Sequence, residues 1–367
     1  MSDNDPERIV VFVPNWVGDV VMATPALRAL RKRFADSNIV YFGRPISLDV
    51  LAGTQLADEM LIAKPKAMSK TLGLLQLRGV LRKGRFDLAV LLTNSFRTAV
   101  MARMACIHRR VGYARDCRGW LLTEKLYPLR DGNGKYVPMS AIRYYADLAA
   151  LLGASVESGG VSLEVTGDAE RQADELFESC GIDRRRPVVM LNPGASFGTS
   201  KMWGWERFAA VADRLIEQRD AQVIINSAPS EALVAQEVVN HMRHAPVLDF
   251  IERPNTLMLL KSLMKRSTLL ITNDTGARHI GAAMGIGLVT VFGSTDPRWA
   301  QIDYDMERIV RVSVRCGPCQ RKLCTEPPGP GYHKCMERVS SDMVFEAACD
   351  ILDRAYGRDV ADMGATV

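Results

Sequence analysis

The chain has no run of about 18 uncharged apolar residues, the length a bilayer-spanning helix needs. It also has no disulfide framework, because eight cysteines in 367 residues are too few and too scattered to staple a secreted scaffold. The acidic, polar opening Met1-Ser2-Asp3-Asn4-Asp5-Pro6 lacks the apolar stretch of a secretion signal, so a cytoplasmic location is expected. Two phosphate-binding signatures are missing. Neither Gly-x4-Gly-Lys-Ser/Thr nor Gly-x-Gly-x-x-Gly with its ribose acid occurs, which argues against an NTPase and a dehydrogenase. No fixed-period repeat, low-complexity block or recognised nucleic-acid module is present, and no nucleic-acid partner is expected.

The length exceeds one comfortable hydrophobic core, so two domains are expected. The net charge is only +5, but residues 1–150 carry 23 Lys and Arg against 13 Asp and Glu, while the remainder has an acidic excess. Arginines 28, 31, 33, 78, 82, 85, 97, 103, 109, 110, 115 and 118 supply most of the imbalance. A basic half fits a phosphorylated substrate, an anionic membrane surface or nucleic acid, or simply solvated helix faces.

Along the chain, apolar runs at Arg8–Val13, Asn38–Gly43 and Asp87–Thr93 read as strands. They alternate with helical stretches beginning near Val20 and spanning roughly 69–83, 95–105 and 138–152. After the Gly/Ser-rich break at 153–160 a second series starts. Its strands are Pro187–Asn192, Gln222–Asn226, Thr268–Thr272 and Leu288–Phe292, with helices at Glu206–Glu217, Pro229–Met242 and Ala277–Met284. This alternation predicts an α/β chain of two doubly wound, Rossmann-like domains with a cleft between them, 1–165 and 166–345. A closing helix follows from Ser341, whose part at 346–357 is expected to pack back on the first domain, before a disordered tail at 358–367.

Each half has polar turns where a strand runs into a helix, the place where such domains bind anionic ligands. In the first half Val13-Pro-Asn-Trp-Val-Gly-Asp19 puts a carboxylate at a helix start, either as a cap or as a general base. In the second, Asn192-Pro-Gly-Ala-Ser-Phe-Gly-Thr-Ser-Lys-Met-Trp203 can wrap a pyrophosphate, with Lys201 neutralising a departing diphosphate. Glu231, after Ser227-Ala-Pro-Ser, is placed to hold a ribose or to begin a helix. Asn273-Asp274-Thr275-Gly276 opens another helix, where Asp274 or Thr275 either caps it or leaves its N–H groups for a phosphate. Phe292-Gly-Ser-Thr-Asp-Pro297 ends the last strand of this set. Cys316-x2-Cys319-x4-Cys324-x10-Cys335, with His333 beside the last, suits a structural zinc or an iron–sulfur cluster, or else thiols or labile disulfides tying down a loop. Cys106, Cys117, Cys180 and Cys349 read as core residues.

Taken together, Trp16-Val-Gly-Asp19, Pro193 to Lys201 with Trp203, Thr272 to Gly276 with His279, and Gly293 to Pro297 resemble glycosyltransferase family 9, the lipopolysaccharide heptosyltransferases, in family order over nearly the whole chain. Asn94-Ser-Phe-Arg97 also resembles the acceptor-side segment of the branch that adds the second heptose. The resemblance implies a GT-B fold and inverting transfer of heptose from ADP-heptose to the heptosyl-Kdo-lipid A core, with no metal required. It also implies a peripheral enzyme at the cytoplasmic face of the inner membrane. Asp19 becomes the base and Lys201 the partner of the diphosphate. Ser196 contacts phosphate, Glu231 the ribose, and Asp274, Thr275, Gly276 and His279 the sugar-diphosphate, while Asn94 and Arg97 face the acceptor. The alternatives are the first heptosyltransferase, another GT-B nucleotide-sugar enzyme such as an epimerase, and a non-catalytic nucleotide-sugar or nucleic-acid binder.

Overall fold

Short apolar runs, buried on both faces as parallel strands require, form the centres of two six-stranded sheets. The computed structural model describes residues 5–63, 70–157, 160–253 and 255–364. The first sheet holds β1 (Arg8–Phe12), β2 (Asn38–Gly43), β3 (Glu59–Ile62), β4 (Leu88–Leu91), β5 (Arg109–Tyr113) and β6 (Glu124–Leu126), in the order β3-β2-β1-β4-β5-β6. The second holds β7 (Val188–Asn192), β8 (Gln222–Ile225), β9 (Leu248–Asp249), β10 (Leu269–Asn273), β11 (Gly287–Phe292) and β12 (Glu307–Arg311), in the order β12-β11-β10-β7-β8-β9. All these pairings are parallel, with Ile9 opposite Leu88 and Leu270 opposite Met190. Counted from its own first strand, each sheet has the 3-2-1-4-5-6 order of a doubly wound fold. The order reverses between β1 and β4 in one sheet and between β7 and β10 in the other, and the crevice beyond those strand ends is where such sheets bind ligands.

The helices are α1 (Val17–Arg33), α2 (Pro45–Leu51), α3 (Lys70–Lys83), α4 (Phe96–Met104), α5 (Ala141–Leu151), α6 (Gly167–Ser179), α7 (Trp205–Arg219), α8 (Ala232–His241), α9 (Leu257–Lys265), α10 (Gly276–Ala283), α11 (Lys334–Glu337) and α12 (Ser341–Gly364). In α1, Val20, Ala23, Leu27 and Leu30 recur at helical spacing and are buried. Pro25 inside this helix deprives the Val21 carbonyl of its usual backbone donor, and the Thr24 hydroxyl supplies a replacement at 2.7 Å. Among the described residues no helix is long and apolar enough to cross a membrane.

The chain divides into two compact units, Met1–Glu164 with Arg298–Ile302, and Val165–Pro297 with Asp303–Val367. In the closing helix Val344, Phe345, Ala348, Ile351 and Leu352 enter the core of the second unit beside Val289, Val291 and Leu215. The helix runs on to Gly364, through positions expected to be a disordered tail.

Candidate active site

In the second unit the loop after β7 and the turn after β10 lie side by side at the switch point, and buried asparagines join them. Asn273 accepts from the Trp203 backbone N–H at 3.1 Å and donates to the Pro193 carbonyl at 2.8 Å. Asn226 donates to Asn192 at 2.6 Å, and Asn255 donates to Asn226 at 2.6 Å. These amides satisfy the polar strand ends that burial would otherwise penalise. Two glycines permit the close approach. A Cβ at Gly194 would lie 2.1 Å from a Glu231 carboxylate oxygen, and one at Gly198, whose φ is +153°, would lie 2.3 Å from the Lys322 carbonyl oxygen. Glu231 is thus turned onto the backbone of the loop after β7, and its half-buried carboxyl has its pKa raised by desolvation.

Lys201 stands at the end of this loop. Its ammonium donates to Asp274 Oδ2 at 2.6 Å and to the Asp274 carbonyl at 3.0 Å, and it sits 4.7 Å from the centre of the Phe197 ring. Thr295 donates to the same Asp274 oxygen at 2.7 Å. Burial alone would raise the pKa of Asp274. The charge and hydrogen bond of Lys201, the Thr295 hydroxyl and the charge of Arg278 outweigh it and hold the carboxyl below its ordinary value.

The helix that follows, α10, begins at Gly276 with Thr275 as its N-cap residue, and no side chain caps it. Asp274 is committed to Lys201 and the Thr275 hydroxyl faces Thr272 at 3.3 Å. The capping reading therefore fails for both residues, and the dipole end of α10 keeps the character of an anion site. His279, one turn on, is buried and neutral. Desolvation, reinforced by Arg278, lowers its pKa to about 3, and its Nδ1 has no hydrogen-bond partner among the described residues. Ser196, assigned to phosphate, is exposed in the loop. Ser200 is buried against Ser294 at 3.0 Å, a contact that the sequence does not show. The buried bidentate pair of Arg278 with Glu307, at 2.6 and 2.8 Å, was also invisible in the sequence. The only signal was an arginine in an apolar helix and a glutamate opening a strand.

In the first unit, Asp19 and Asn94 follow β1 and β4, the two strands at its switch point. Asp19 is the third residue of α1, and the N-cap position belongs to Trp16, so Asp19 is not the cap. Tyr145 on α5 has its pKa raised by burial and then by the charge of Asp19, which places that carboxylate toward α5. The neighbouring Tyr144 donates to Asn94 Oδ1 at 2.8 Å, and buried Arg118 donates to the same oxygen at 3.3 Å. Tyr144 also stacks on Tyr113 with ring centres 3.7 Å apart. Asn94 is thereby fixed, whereas Arg97 is exposed in the first turn of α4.

The family model described as glycosyltransferase family 9 (heptosyltransferase) matches residues 74–329. The chain belongs to this family. It is a glycosyltransferase, and it is 27% identical to lipooligosaccharide heptosyltransferase 2 of Haemophilus influenzae over 94% of this chain and 99% of the relative. Two solved structures share the fold: a family 9 glycosyl transferase of Veillonella parvula (TM-score 0.79, 24% identity, 95% and 97% of the chains covered) and ADP-heptose lps heptosyltransferase II of E. coli (TM-score 0.75, 22% identity, 95% and 99%). The two Rossmann-like units are those of a GT-B enzyme.

Four cysteines of this glycosyltransferase, Cys316, Cys319, Cys324 and Cys335, border one cavity of about 20 Å³ together with His333, Ser200 and Ser294. All are free thiols, so the disulfide reading does not describe this structure. Among the described residues no group of three or more His, Cys, Asp or Glu side chains is arranged to hold a metal ion. Burial, and then the neighbouring thiols Cys316 and Cys319, raise the pKa of Cys335. The segment's visible role is mechanical, since the Lys322 carbonyl accepts from the Ser200 backbone N–H at 3.1 Å and so steadies the loop that carries Lys201. Cys106 and Cys117, expected in the core, are exposed, and both occupy left-handed backbone positions in turns.

Proposed function

We propose that the enzyme transfers heptose, with inversion, from ADP-heptose to the heptosyl-Kdo-lipid A core of lipopolysaccharide. The observation that carries this is the Lys201–Asp274–Thr295 cluster beside the uncapped start of α10. An ammonium has three donors, and Asp274 engages two directions of Lys201, leaving the third for a diphosphate oxygen. The N–H groups of α10 and the Gly194 loop take the remaining phosphate oxygens, Glu231 takes a ribose hydroxyl, and neutral His279 meets the sugar without adding charge. In the displacement, an acceptor oxygen bonds to the anomeric carbon as its bond to the diphosphate breaks. The hydroxyl proton passes to Asp19, and the electron pair leaves with ADP, whose charge Lys201 stabilises. No metal has a role in this scheme.

Support for the donor and acceptor comes from the family and from the names of the heptosyltransferase 2 relatives, and the basic first half suits an anionic core. The test is to incubate the protein with ADP-heptose and lipid A cores bearing no heptose or one, and to weigh the products. A mass gain of one heptose on the one-heptose core alone is expected. Gain only on the heptose-free core would assign the first transfer instead, and gain on neither would overturn the reading.

We place the enzyme peripherally on the cytoplasmic face of the inner membrane, held by charge. Leu75 and Val80 of α3 are exposed beside Arg82 and Lys83, whereas the side chains of Leu72 and Leu74 lie outside the described residues. Binding to vesicles containing anionic lipid should be lost as salt rises, because each exposed charge is screened over a Debye length. Binding that persists at high salt would count against an electrostatic attachment.

A further inference from the structure

A cavity of about 420 Å³ opens in the first unit between the β6–α5 connection and α5 itself. Its size lies in the range of small-molecule sites, roughly 300–1,000 Å³. Its walls are mainly apolar, with Leu126, Leu129, Val137, Met139 and Leu151 among them, and no Ser, Thr, Asn or Gln lines it. Its neutral polar groups are the Trp299 indole and four tyrosine hydroxyls, of which Tyr113 donates to Asp147, Tyr144 donates to Asn94 and Tyr136 accepts from Arg130, so a base or a sugar would find few open partners for its polar edges there. Two guanidinium groups do line it, Arg115 and Arg143, against a single acid, Asp147, which accepts from the Tyr113 hydroxyl at 3.5 Å. Arg115 lies 4.2 Å from the centre of the Tyr136 ring, which presses its planar head against an aromatic wall. The mouth leaves Tyr127 69% and Leu129 62% exposed, with Val137 and Leu151 also open to solvent. Four large apolar side chains around one opening in the most basic part of the chain are costly to leave uncovered.

We propose that this cavity receives one acyl chain of the acceptor lipid, with Arg115 and Arg143 meeting the anionic group next to that chain. The proposal deepens the reading of the acceptor as an anionic glycolipid and rests on it. The occupant follows from the lining: an apolar and aromatic interior with two cationic groups, in which most of the tyrosine hydroxyls are already engaged, matches an amphiphile with a negative head. The place follows from α5. Tyr144 is a wall of the cavity and holds Asn94, while the next residue, Tyr145, feels the charge of Asp19. A chain seated here anchors the acceptor along the helix that faces the base, so that binding energy from a remote part of the substrate serves to orient the reacting hydroxyl.

The test uses the full-length protein and two readouts. In titration calorimetry, myristoyl lysophosphatidic acid kept below its micelle concentration should bind saturably, and glycerol 3-phosphate at least tenfold more weakly. Leu129→Asp and Val137→Asp, at exposed positions where folding can be checked by thermal melting, should each weaken the lysolipid at least tenfold. Arg143→Gln should remove the preference for the phosphate over the uncharged monoacylglycerol. In transfer assays the wild type should show a lower KM for acylated than for deacylated acceptor, and Leu129→Asp should erase that difference. Equal binding of glycerol 3-phosphate, unaltered lysolipid binding in both aspartate variants, or an unchanged KM ratio would each overturn the site. If the wild type transfers no heptose yet binds the lysolipid in this variant-sensitive way, the cavity stands and the proposed reaction falls.

Discussion

Asp19→Ala is expected to lower kcat by about 10²–10⁴-fold, the usual contribution of a positioned general base. The affinity for ADP-heptose should stay nearly unchanged, because the residues proposed to hold the donor lie in the other unit of the chain. Asp19→Asn is the sharper variant: it keeps the side chain's shape beside α5 but cannot accept a proton, so it should fall with the alanine. Single-turnover kinetics with calorimetric donor binding separates the two quantities. Full activity of either variant would remove Asp19 from the role of base, and a parallel loss of donor affinity would mean that it acts through structure instead.

Lys201→Ala should be damaging in two ways at once. Loss of the charge facing the leaving diphosphate is expected to reduce kcat by about 10²–10³-fold, as when one preorganised electrostatic contact is removed. The variant should also be less stable by about 3–5 kcal/mol at neutral pH, because the buried Asp274 carboxylate then has no cation. The pH dependence fixes the sign. The folded pKa of Asp274 lies below its unfolded value, so the pair's contribution is complete above the ordinary carboxylate range and is lost as pH falls through the folded value. The stability gap between wild type and Lys201→Ala should therefore be widest near neutrality and close in acid. Lys201→Ala combined with Asp274→Asn should recover stability without recovering activity. Denaturant melts across pH check the first effect, and a gap that widened in acid would refute the ion-pair account.

The strands legible from sequence are those inside the sheets, with a neighbour on both sides. Residues 9–12, 188–192, 269–273 and 287–292 are buried on both faces, so nearly every side chain is apolar, apart from Asn192, Thr272, Asn273 and Thr290, and the run stands out. The four edge strands, and β5 beside one of them, give no such run. Glu59–Ile62 is largely exposed, Glu124–Leu126 and Leu248–Asp249 are three and two residues long, Glu307–Arg311 carries three charges, and Arg109–Tyr113 begins with two arginines. Edge strands that face solvent keep charge and stay short, which erases the hydrophobic signal. The helix α9 is not legible either, because Leu257–Lys265 sits in an apolar stretch running into a strand, where periodicity is hard to separate.

The sequence alone determined the α/β alternation, the break between its two halves, the basic bias of the first, and the polar turns that hold Asp19, Lys201 and Asp274. These are local properties, set by which residues an inner strand must bury and which a helix start can accept. Tertiary structure decided the partnerships. Lys201 and Asp274 are 73 residues apart and meet because β7 and β10 are neighbours in the sheet. Only that meeting removes Asp274 from helix capping and leaves the start of α10 open. The same holds for Arg278 with Glu307, for Gly194 against Glu231, and for the four thiols that converge on one cavity. Strand order, which no short window of sequence encodes, sets which distant groups share a buried space and hence which charges are neutralised and which remain for a substrate.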